Sequence, residues 1–254
     1  SDLGGWDELR GYMLLATSHD GSIRTFGKPT TIRAVFWNTL LLGLQEESDH
    51  QFMMKHTRKW SDAVAEEARR VMGMAVERIK CQASFVYFLS FCKIVSPPTL
   101  DTPGGVIPFE LWPHLRTTTS ALLTEQLIAV IKARQIGLSW LIAAYTLWKA
   151  LFAEGFVAIL FSKGEVEAIE LLSKSRKIYN QLPEYLKLKL LPDSTTEFGF
   201  PSMSSSVKAF PSTENAGISF ATSLIVCDEW DYHPYAEENY LASKPTRDAG
   251  GQFI

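Results

Sequence analysis

A short loop between an apolar run and a helical pattern constrains this chain more than any other stretch of its sequence. Residues 127–131 are apolar, residues 132–139 read Lys-Ala-Arg-Gln-Ile-Gly-Leu-Ser, and a helical pattern begins at Trp140. A strand, a tight loop and a helix in that order form a cradle in which backbone N–H groups and a helix N-terminus face an anion. The sequence therefore predicts a strand-loop-helix unit that binds phosphate.

The loop departs from the usual phosphate-binding pattern G-x-x-x-x-G-K-[ST] at two positions. Gly137 and Ser139 keep their places, whereas Lys132 replaces the first glycine and Leu138 replaces the lysine. Because such a loop curls around the phosphates, its first and seventh positions both lie near the β and γ groups, and a lysine can reach them from either position. On spacing alone, the alternative is an ordinary strand-turn-helix unit.

A second stretch supports the phosphate interpretation. Residues 224–227 are apolar and are followed by Asp228 and Glu229. This pattern predicts a buried parallel strand, and ligands of such sheets bind at the carboxyl ends of strands. In phosphoryl transfer, Asp228 would hold Mg²⁺ with the Ser139 hydroxyl, and Glu229 would position or deprotonate the attacking water. The alternative is a strand that ends at a solvated acidic turn.

Composition sets wider limits. The chain has 254 residues, 46% of them hydrophobic, and a net charge of -3, which argues against an overall basic nucleic-acid binder. Cys81, Cys92 and Cys227 are far apart and lack metal-ligand spacing, which predicts buried thiols in a reducing compartment. No apolar run approaches the roughly 18 residues that cross a bilayer, so we expect a soluble, intracellular protein.

The periodicity of the remaining sequence predicts an α/β fold with a mainly parallel sheet, helices on both faces and a helical N-terminal appendage. Helices are expected at 53–79, 140–152 and 165–182, a buried apolar segment at 83–92, a strand at 157–161, and a hairpin formed by 195–200 and 205–210.

Two further groups of residues have both a functional and a structural interpretation. Phe109 and Trp112, upstream of the loop, either stack on a base or anchor the core. Basic residues in and just after the predicted helix 165–182 indicate either a contact with a DNA backbone or a solvated helix face. They are Lys174, Arg176, Lys177, Lys187 and Lys189.

Taken together, these signatures resemble the ATPase domain of a tailed-bacteriophage terminase large subunit, the motor that packages viral DNA into procapsids. The resemblance runs from about Trp60 to the end of the chain, and a lysine at the front of the loop is a habit of this family. It rests on residues 107–113, 132–140 and 224–230, followed by 233–235, 237–239, 244–246 and 250–252.

The resemblance implies a P-loop NTPase fold (ASCE-type) that uses ATP and Mg²⁺. Lys132 would neutralise the phosphates, Arg134 would stabilise charge in the transition state, in its own site or across a subunit boundary, and Glu229 would be the catalytic carboxylate. Ser139 and Asp228 would bind the Mg²⁺. The nucleotide would contact the loop residues Lys132, Ala133, Arg134, Gln135, Ile136, Gly137, Leu138 and Ser139, together with Phe109, Trp112 and His114.

Two departures limit what the resemblance implies. Relatives place a glutamine that reads adenine where this chain has His114, so selectivity for adenine follows less directly than phosphate binding. Relatives also continue past residue 254 into a coupling motif and a metal-dependent nuclease domain. We therefore expect an N-terminal extension of unknown role (1–50), a helical subdomain (51–100) and an ATPase core (101–254) truncated before those parts, without nuclease activity.

The implied partners are double-stranded DNA, a portal protein and a small terminase subunit, with no membrane. The chain would be a monomer in isolation and part of a homo-oligomeric ring when assembled, in the host cytoplasm and transiently at the procapsid portal. Two rival functions remain: a helicase-like P-loop ATPase acting on nucleic acid, and a catalytically silent assembly module that binds portal or small subunit.

Overall fold

The chain divides into two compact units between Val76 and Glu77. The structure, a computed structural model, describes residues 62–98, 103–133, 136–211 and 222–254. The predicted extension 1–50 lies outside these residues. Of the first unit, the described part is the beginning of one helix, which carries an exposed ion pair between Arg70 and Glu67 at 2.6 Å. All other elements belong to the second unit.

The helices of the described residues are α1 Asp62–Ala83, α2 Phe85–Leu89, α3 Pro113–Thr124, α4 Leu138–Phe152, α5 Glu165–Gln181, α6 Ala236–Ala242 and α7 Lys244–Asp248. The strands are β1 Lys93–Ser96, β2 Gly105–Pro108, β3 Val157–Ser162, β4 Glu197–Phe200, β5 Ser205–Pro211, β6 Leu224–Cys227 and β7 Gln252–Phe253. The predicted helices at 140–152 and 165–182 and the predicted strand at 157–161 are confirmed as α4, α5 and β3. None of the described helices is long and apolar enough to cross a membrane.

The main sheet has five strands in the order β4-β5-β3-β6-β7. β3 pairs in parallel with β5 and β6, β6 pairs in parallel with β7, and β4 pairs antiparallel with β5. The prediction of a mainly parallel sheet is confirmed, as is the hairpin, which is β4 and β5. After β3 the chain forms β4 and β5 on one side of β3, and it then crosses to β6 on the other side. Such a reversal opens a crevice at the carboxyl ends of the strands, where open α/β sheets bind ligands.

Both faces of the sheet are buried because its central strands are apolar at successive positions. Ala158 and Leu160 of β3 face a core formed with α4 and α5, whereas Ile159 and Phe161 face a smaller cluster. Trp230 and Tyr240, which follow β6, pack on that smaller cluster with Phe253 of β7. Each fully buried side chain of this size contributes about 1.5–3 kcal/mol, so the sheet is a rigid support for the loops at its ends.

The predicted strand at 127–131 is wrong for most of its length. Leu127 makes a single parallel bridge to Phe253, and the Ile128 N–H donates to the Phe253 carbonyl at 2.9 Å. Beyond this point the run turns outward, and the Ile131 side chain is fully exposed. The physical reason is that β7 has two residues, so it offers too few backbone partners to extend the pairing.

The sequence predicts that the apolar segment 83–92 is buried all round. The structure buries it on one side only. Ser84 caps α2 by accepting a hydrogen bond from the Tyr87 N–H at 3.2 Å. Phe85 and Phe88 then face the core, whereas Val86 is 48% exposed. Cys81 and Cys92 are buried as predicted, and Cys227 is partly buried; all three are free thiols.

Candidate active site

The acidic pair lies in a turn that follows the last residue of β6. The Asp228 N–H donates to the Phe161 carbonyl of β3 at 3.0 Å, and Asp228 Oδ1 accepts the Glu229 N–H at 3.1 Å. Glu229 has a left-handed backbone, with φ of 58°, a conformation that residues other than glycine adopt rarely and often at functional sites. The turn therefore holds two neighbouring carboxylates at the carboxyl end of the sheet in a constrained geometry.

A buried histidine, His233, makes a hydrogen bond to the backbone of this turn. His233 Nε2 donates to the Asp228 carbonyl at 2.8 Å, and the His233 ring lies 5.2 Å from the Trp230 ring, centroid to centroid. Burial lowers the pKa of His233 below its usual value. The ring is therefore a neutral donor at neutral pH and fixes the backbone that carries Asp228.

The loop that precedes α4 ends in a left-handed glycine. Gly137 is left-handed, with φ of 81°, and its carbonyl accepts the Leu141 N–H at 3.1 Å in the first turn of α4. The first N–H groups of a helix have no partner within it and carry partial positive charge. Gly137 thus lies directly before the helix turn that carries these donors and the Ser139 side chain.

The loop and the acidic turn meet at Asp228. Ser139 Oγ donates to Asp228 Oδ2 at 3.2 Å, and Lys132 Nζ lies 4.0 Å from Asp228 Oδ1. The serine and the aspartate are separated by 89 residues in the chain. The structure therefore brings together Lys132, Gly137, Ser139 and Asp228, four of the residues that the sequence assigned to one site.

The side chains around Asp228 are too few to coordinate a metal on their own, but they suit Mg²⁺, which takes its other ligands from water and phosphate. Mg²⁺ prefers oxygen ligands, keeps several waters, and is commonly held by one or two carboxylates together with substrate phosphates. Ser139 Oγ and the Asp228 carboxylate supply one hydroxyl and one carboxylate within 3.2 Å of each other. Across the described residues, no group of three or more His, Cys, Asp or Glu side chains is placed to hold a metal. The donor set thus fits a magnesium ion that arrives with a phosphate ligand.

Lys163, which the sequence did not single out, directly contacts the second carboxylate. Its Nζ lies 3.0 Å from Glu229 Oε2 and 3.7 Å from Glu167 Oε1. Lys163 follows the last residue of β3, the strand that neighbours β6. A polar residue directly after a predicted buried strand was the available signal, because the carboxyl ends of adjacent parallel strands lie side by side.

The aromatic residues upstream of the loop have different roles. Phe109 is 8% exposed and belongs to the core, so the structure favours the anchoring interpretation for it, whereas Trp112 is 45% exposed. The Trp112 indole N–H donates to Glu110 Oε2 at 3.0 Å, and its ring lies 5.6 Å from that of His114. His114 Nε2 donates to the Ile136 carbonyl at 2.9 Å. His114 thus braces the loop, and of the two aromatics Trp112 has the exposed ring.

The remaining loop residues divide into three groups. Leu138 is 4% exposed and packs in the main core, so it anchors the first turn of α4 with its side chain inside. Ala133 is exposed and Ile136 is partly buried against the same core. Arg134 and Gln135 lie outside the described residues.

Three of the five basic residues that the sequence singled out interact with groups of the protein itself: Lys174, Arg176 and Lys187. The Arg176 guanidinium donates to Asp193 Oδ1 at 2.9 Å, to the Glu197 carbonyl at 2.8 Å and to the Ser194 carbonyl. Its side chain is 20% exposed. Lys174 pairs with Glu170 at 3.1 Å, and Lys187 pairs with Glu184 at 2.7 Å. Arg176 therefore holds the segment that leads into β4 in place, which favours a structural role for this one residue.

Comparison with known proteins gives a match to a family model and similarity to solved structures. A family model described as a domain of unknown function (DUF932) matches residues 1–85, a minority of the 254 residues. The predicted extension 1–50 falls within this match. The crystal structure of the HK97 bacteriophage large terminase is similar to this chain with a TM-score of 0.53 at 16% sequence identity.

The terminase match covers 68% of this chain and 36% of the terminase. This chain therefore spans little more than a third of the length of the protein it resembles. At this identity the similarity is one of architecture, and it agrees with the mixed α/β sheet described above. The chain has a terminase-like fold over the matched part.

Proposed function

We propose that the second unit of this chain is a P-loop ATPase whose hydrolysis of ATP powers the movement of double-stranded DNA into a procapsid. The fold shared with the HK97 large terminase supports the proposal. The observation that carries it is the contact of Ser139 and Lys132 with Asp228 at 3.2 and 4.0 Å. A hydroxyl, an ammonium and a carboxylate that meet at a helix N-terminus are the groups that a Mg²⁺–nucleotide complex requires.

Each residue in this cluster has a distinct role in the proposed reaction. The N–H groups that open α4 bind phosphate oxygens, and Lys132 moves from Asp228 to the β and γ phosphates. Ser139 and Asp228 would hold Mg²⁺, and the ion would supply positive charge to the phosphate oxygens. Glu229, next to Asp228 on the same turn, orients the attacking water or accepts its proton. Trp112 offers the nucleobase an exposed ring, while His114 keeps the loop in place.

The test of hydrolysis is Glu229→Gln, which keeps the size of the side chain and removes its charge. We expect Mg²⁺–ATP to bind this variant as it binds the wild type, with turnover lowered by about 10² to 10⁴. Asp231→Asn is the matched control, because Asp231 is an exposed acid two residues further along. Hydrolysis by Glu229→Gln at the wild-type rate would remove Glu229 from its assigned role.

Arg134 is proposed as the cation that stabilises the transition state, within one subunit or between two. A finger that acts between subunits contributes about 10³ to 10⁵ in rate only when the ring is assembled, so the isolated chain would be a weak ATPase. Mixing Arg134→Ala with Glu229→Gln protein under assembling conditions restores hydrolysis if the arginine acts in trans. A lack of recovery in a proven mixed assembly would place it in cis.

Packaging is tested with portal-bearing procapsids, the small subunit and linear duplex DNA. The second unit must be supplied in its full-length protein for this assay, because the chain covers 36% of the terminase it resembles. Protection of DNA from added nuclease, dependent on ATP and lost in Glu229→Gln, is the expected result. ATP hydrolysis without DNA protection would favour an ATPase of another nucleic-acid process.

A further inference from the structure

The lysine that follows β3 has two acidic partners, and one of them is the proposed catalytic carboxylate. Lys163 Nζ is 3.0 Å from Glu229 Oε2 and 3.7 Å from Glu167 Oε1, in the first turn of α5. The hydrogen bond to Glu229 and the charge of Glu229, with a smaller contribution from Glu167, raise the pKa of Lys163. The ammonium is therefore shared unequally, with Glu229 as the closer partner.

The two carboxylates of the acidic turn are engaged on opposite sides. Asp228 contacts Ser139 and Lys132, and the residues before that loop lie beside β7 through the Leu127 bridge. Glu229 contacts Lys163 at the end of β3, the neighbour of β6 on the other side. The lysine thus binds Glu229 on the side of the turn away from the cluster that would hold phosphate and metal.

We propose that Lys163 is a positioning residue that gates Glu229: it holds the carboxylate on the β3 side, and hydrolysis is faster when the Lys163 ammonium shifts to Glu167. This inference rests on the proposed ATPase function. No covalent step is involved, because one ion pair replaces another. The centroid of the Tyr232 ring lies 5.7 Å from Lys163 Nζ. A cation–π interaction with this ring would stabilise the ammonium while it changes partner.

The two partners of Lys163 predict changes of opposite sign. Lys163→Met removes the charge and keeps the length of the side chain, so it removes this ion pair from Glu229 and raises kcat about two- to five-fold, the population change that an exposed ion pair controls. Glu167→Gln removes the acceptor, leaves Lys163 on Glu229, and lowers kcat by a similar factor. KM for ATP stays unchanged in both, because neither side chain belongs to the cluster proposed to bind the nucleotide. Lys163→Arg keeps both ion pairs and behaves as the wild type.

Matched controls come from α5, the helix that contains Glu167. Lys174→Met breaks an ion pair with Glu170 that lies away from the turn, and Glu165→Gln removes another first-turn acid of α5. Both are expected to keep the wild-type kcat. A purely structural role of Lys163 would instead lower thermal stability and kcat together, without opposite signs for Lys163→Met and Glu167→Gln.

A measurement that does not need turnover completes the test. The coupling between Lys163 and Glu229 is obtained from melting temperatures of Lys163→Met, Glu229→Gln and the double variant, without nucleotide and with Mg²⁺ and a non-hydrolysable ATP analogue. We expect coupling without nucleotide and its loss with the analogue. Equal coupling in both states, or a lower kcat in Lys163→Met, overturns the gate. Absence of any shift in melting temperature with nucleotide in the wild type overturns the ATPase proposal itself.

Discussion

Ser139 Oγ donates a hydrogen bond to Asp228 Oδ2 at 3.2 Å, which joins the first turn of α4 to the end of β6 across 89 residues of chain. If these two oxygens share a Mg²⁺ ion, Ser139→Ala loses the part of nucleotide affinity that depends on Mg²⁺, about tenfold for one contact to a charged group. Ser139→Thr keeps the hydroxyl and is the control. Titration of ATP with and without Mg²⁺ measures this, and an unchanged Mg²⁺ effect in Ser139→Ala would exclude the serine as a ligand.

Gly137 and Gly155 allow the shape of the loop to be tested apart from stability. Both have positive φ, of 81° and 70°, and a methyl group meets no close atom at either position: Leu115 Cδ1 is 3.5 Å away at Gly137, and nothing lies within 4 Å at Gly155. Alanine at each therefore costs about 1–2 kcal/mol from backbone strain. We expect Gly137→Ala alone to weaken ATP binding, and equal affinities in the two variants would mean that the loop backbone does not contact phosphate.

His233 makes stability depend on pH in a defined direction. Burial lowers its pKa in the folded protein, while the unfolded chain keeps a value of about 6.5. Above that value both states are neutral and the contribution of His233 is fully present; as the pH falls below it, the unfolded state takes up a proton first and stability is lost. Melting temperatures should fall on acidification below pH of about 6.5.

His233→Gln separates this effect from other titrations. The glutamine amide can still donate to the Asp228 carbonyl, which His233 contacts at 2.8 Å, but it does not titrate. The decrease of melting temperature with acidification should therefore be smaller in His233→Gln than in the wild type. Identical pH dependence in the two proteins would contradict a lowered pKa.

We expect Arg176 to contribute to the free energy of unfolding and not to the affinity for DNA. Arg176→Met removes the guanidinium that binds Asp193 and the carbonyls of Ser194 and Glu197, at a cost of about 2 kcal/mol or more. Lys177→Met, at the next and exposed position, should change stability by less than about 0.5 kcal/mol. Denaturant unfolding and DNA binding are measured on both. A large loss of DNA affinity in folded Arg176→Met would favour the nucleic-acid interpretation of this surface.

The parts of the fold that were predicted correctly share a local physical cause. β3 and α5 are signalled by their own composition, because a run of apolar residues predicts a buried parallel strand and a periodic one predicts a helix. The same holds for Asp228 and Glu229, whose position at the end of a strand follows from the apolar run that precedes them. The meeting of Ser139 with Asp228 follows from two such local predictions and the parallel arrangement of the strands.

The features that the sequence did not predict depend on neighbours distant in the chain. Residues 127–131 have the composition of a strand, but their pairing ends at Leu127 because the partner strand β7 is short. Arg176 resembles a surface cation until the segment that contains Asp193 and Glu197 folds over it. Lys163 gains its place beside Glu229 from the order of β3 and β6 in the sheet, which no local pattern specifies.

Lys132 stands at the front of the loop, where the usual pattern has a glycine. An exchange that moves the lysine to the usual position, Lys132→Gly with Leu138→Lys, is unsuitable because Leu138 is 4% exposed and packs in the core. An ammonium there would be buried without a partner, which is strongly unfavourable. Lys132→Ala is the better variant, since residue 132 is exposed at the mouth of the loop.

The most direct measurement is the dissociation constant of Mg²⁺–ATP for the wild type, Lys132→Ala and the control Lys93→Ala, whose lysine lies exposed on β1. Melting temperatures of the three proteins without nucleotide should agree. We expect binding that is weaker by about 10- to 100-fold in Lys132→Ala, the loss of one contact between charged groups, and unchanged in Lys93→Ala. Wild-type affinity in a folded Lys132→Ala protein would contradict the assignment of this loop to nucleotide.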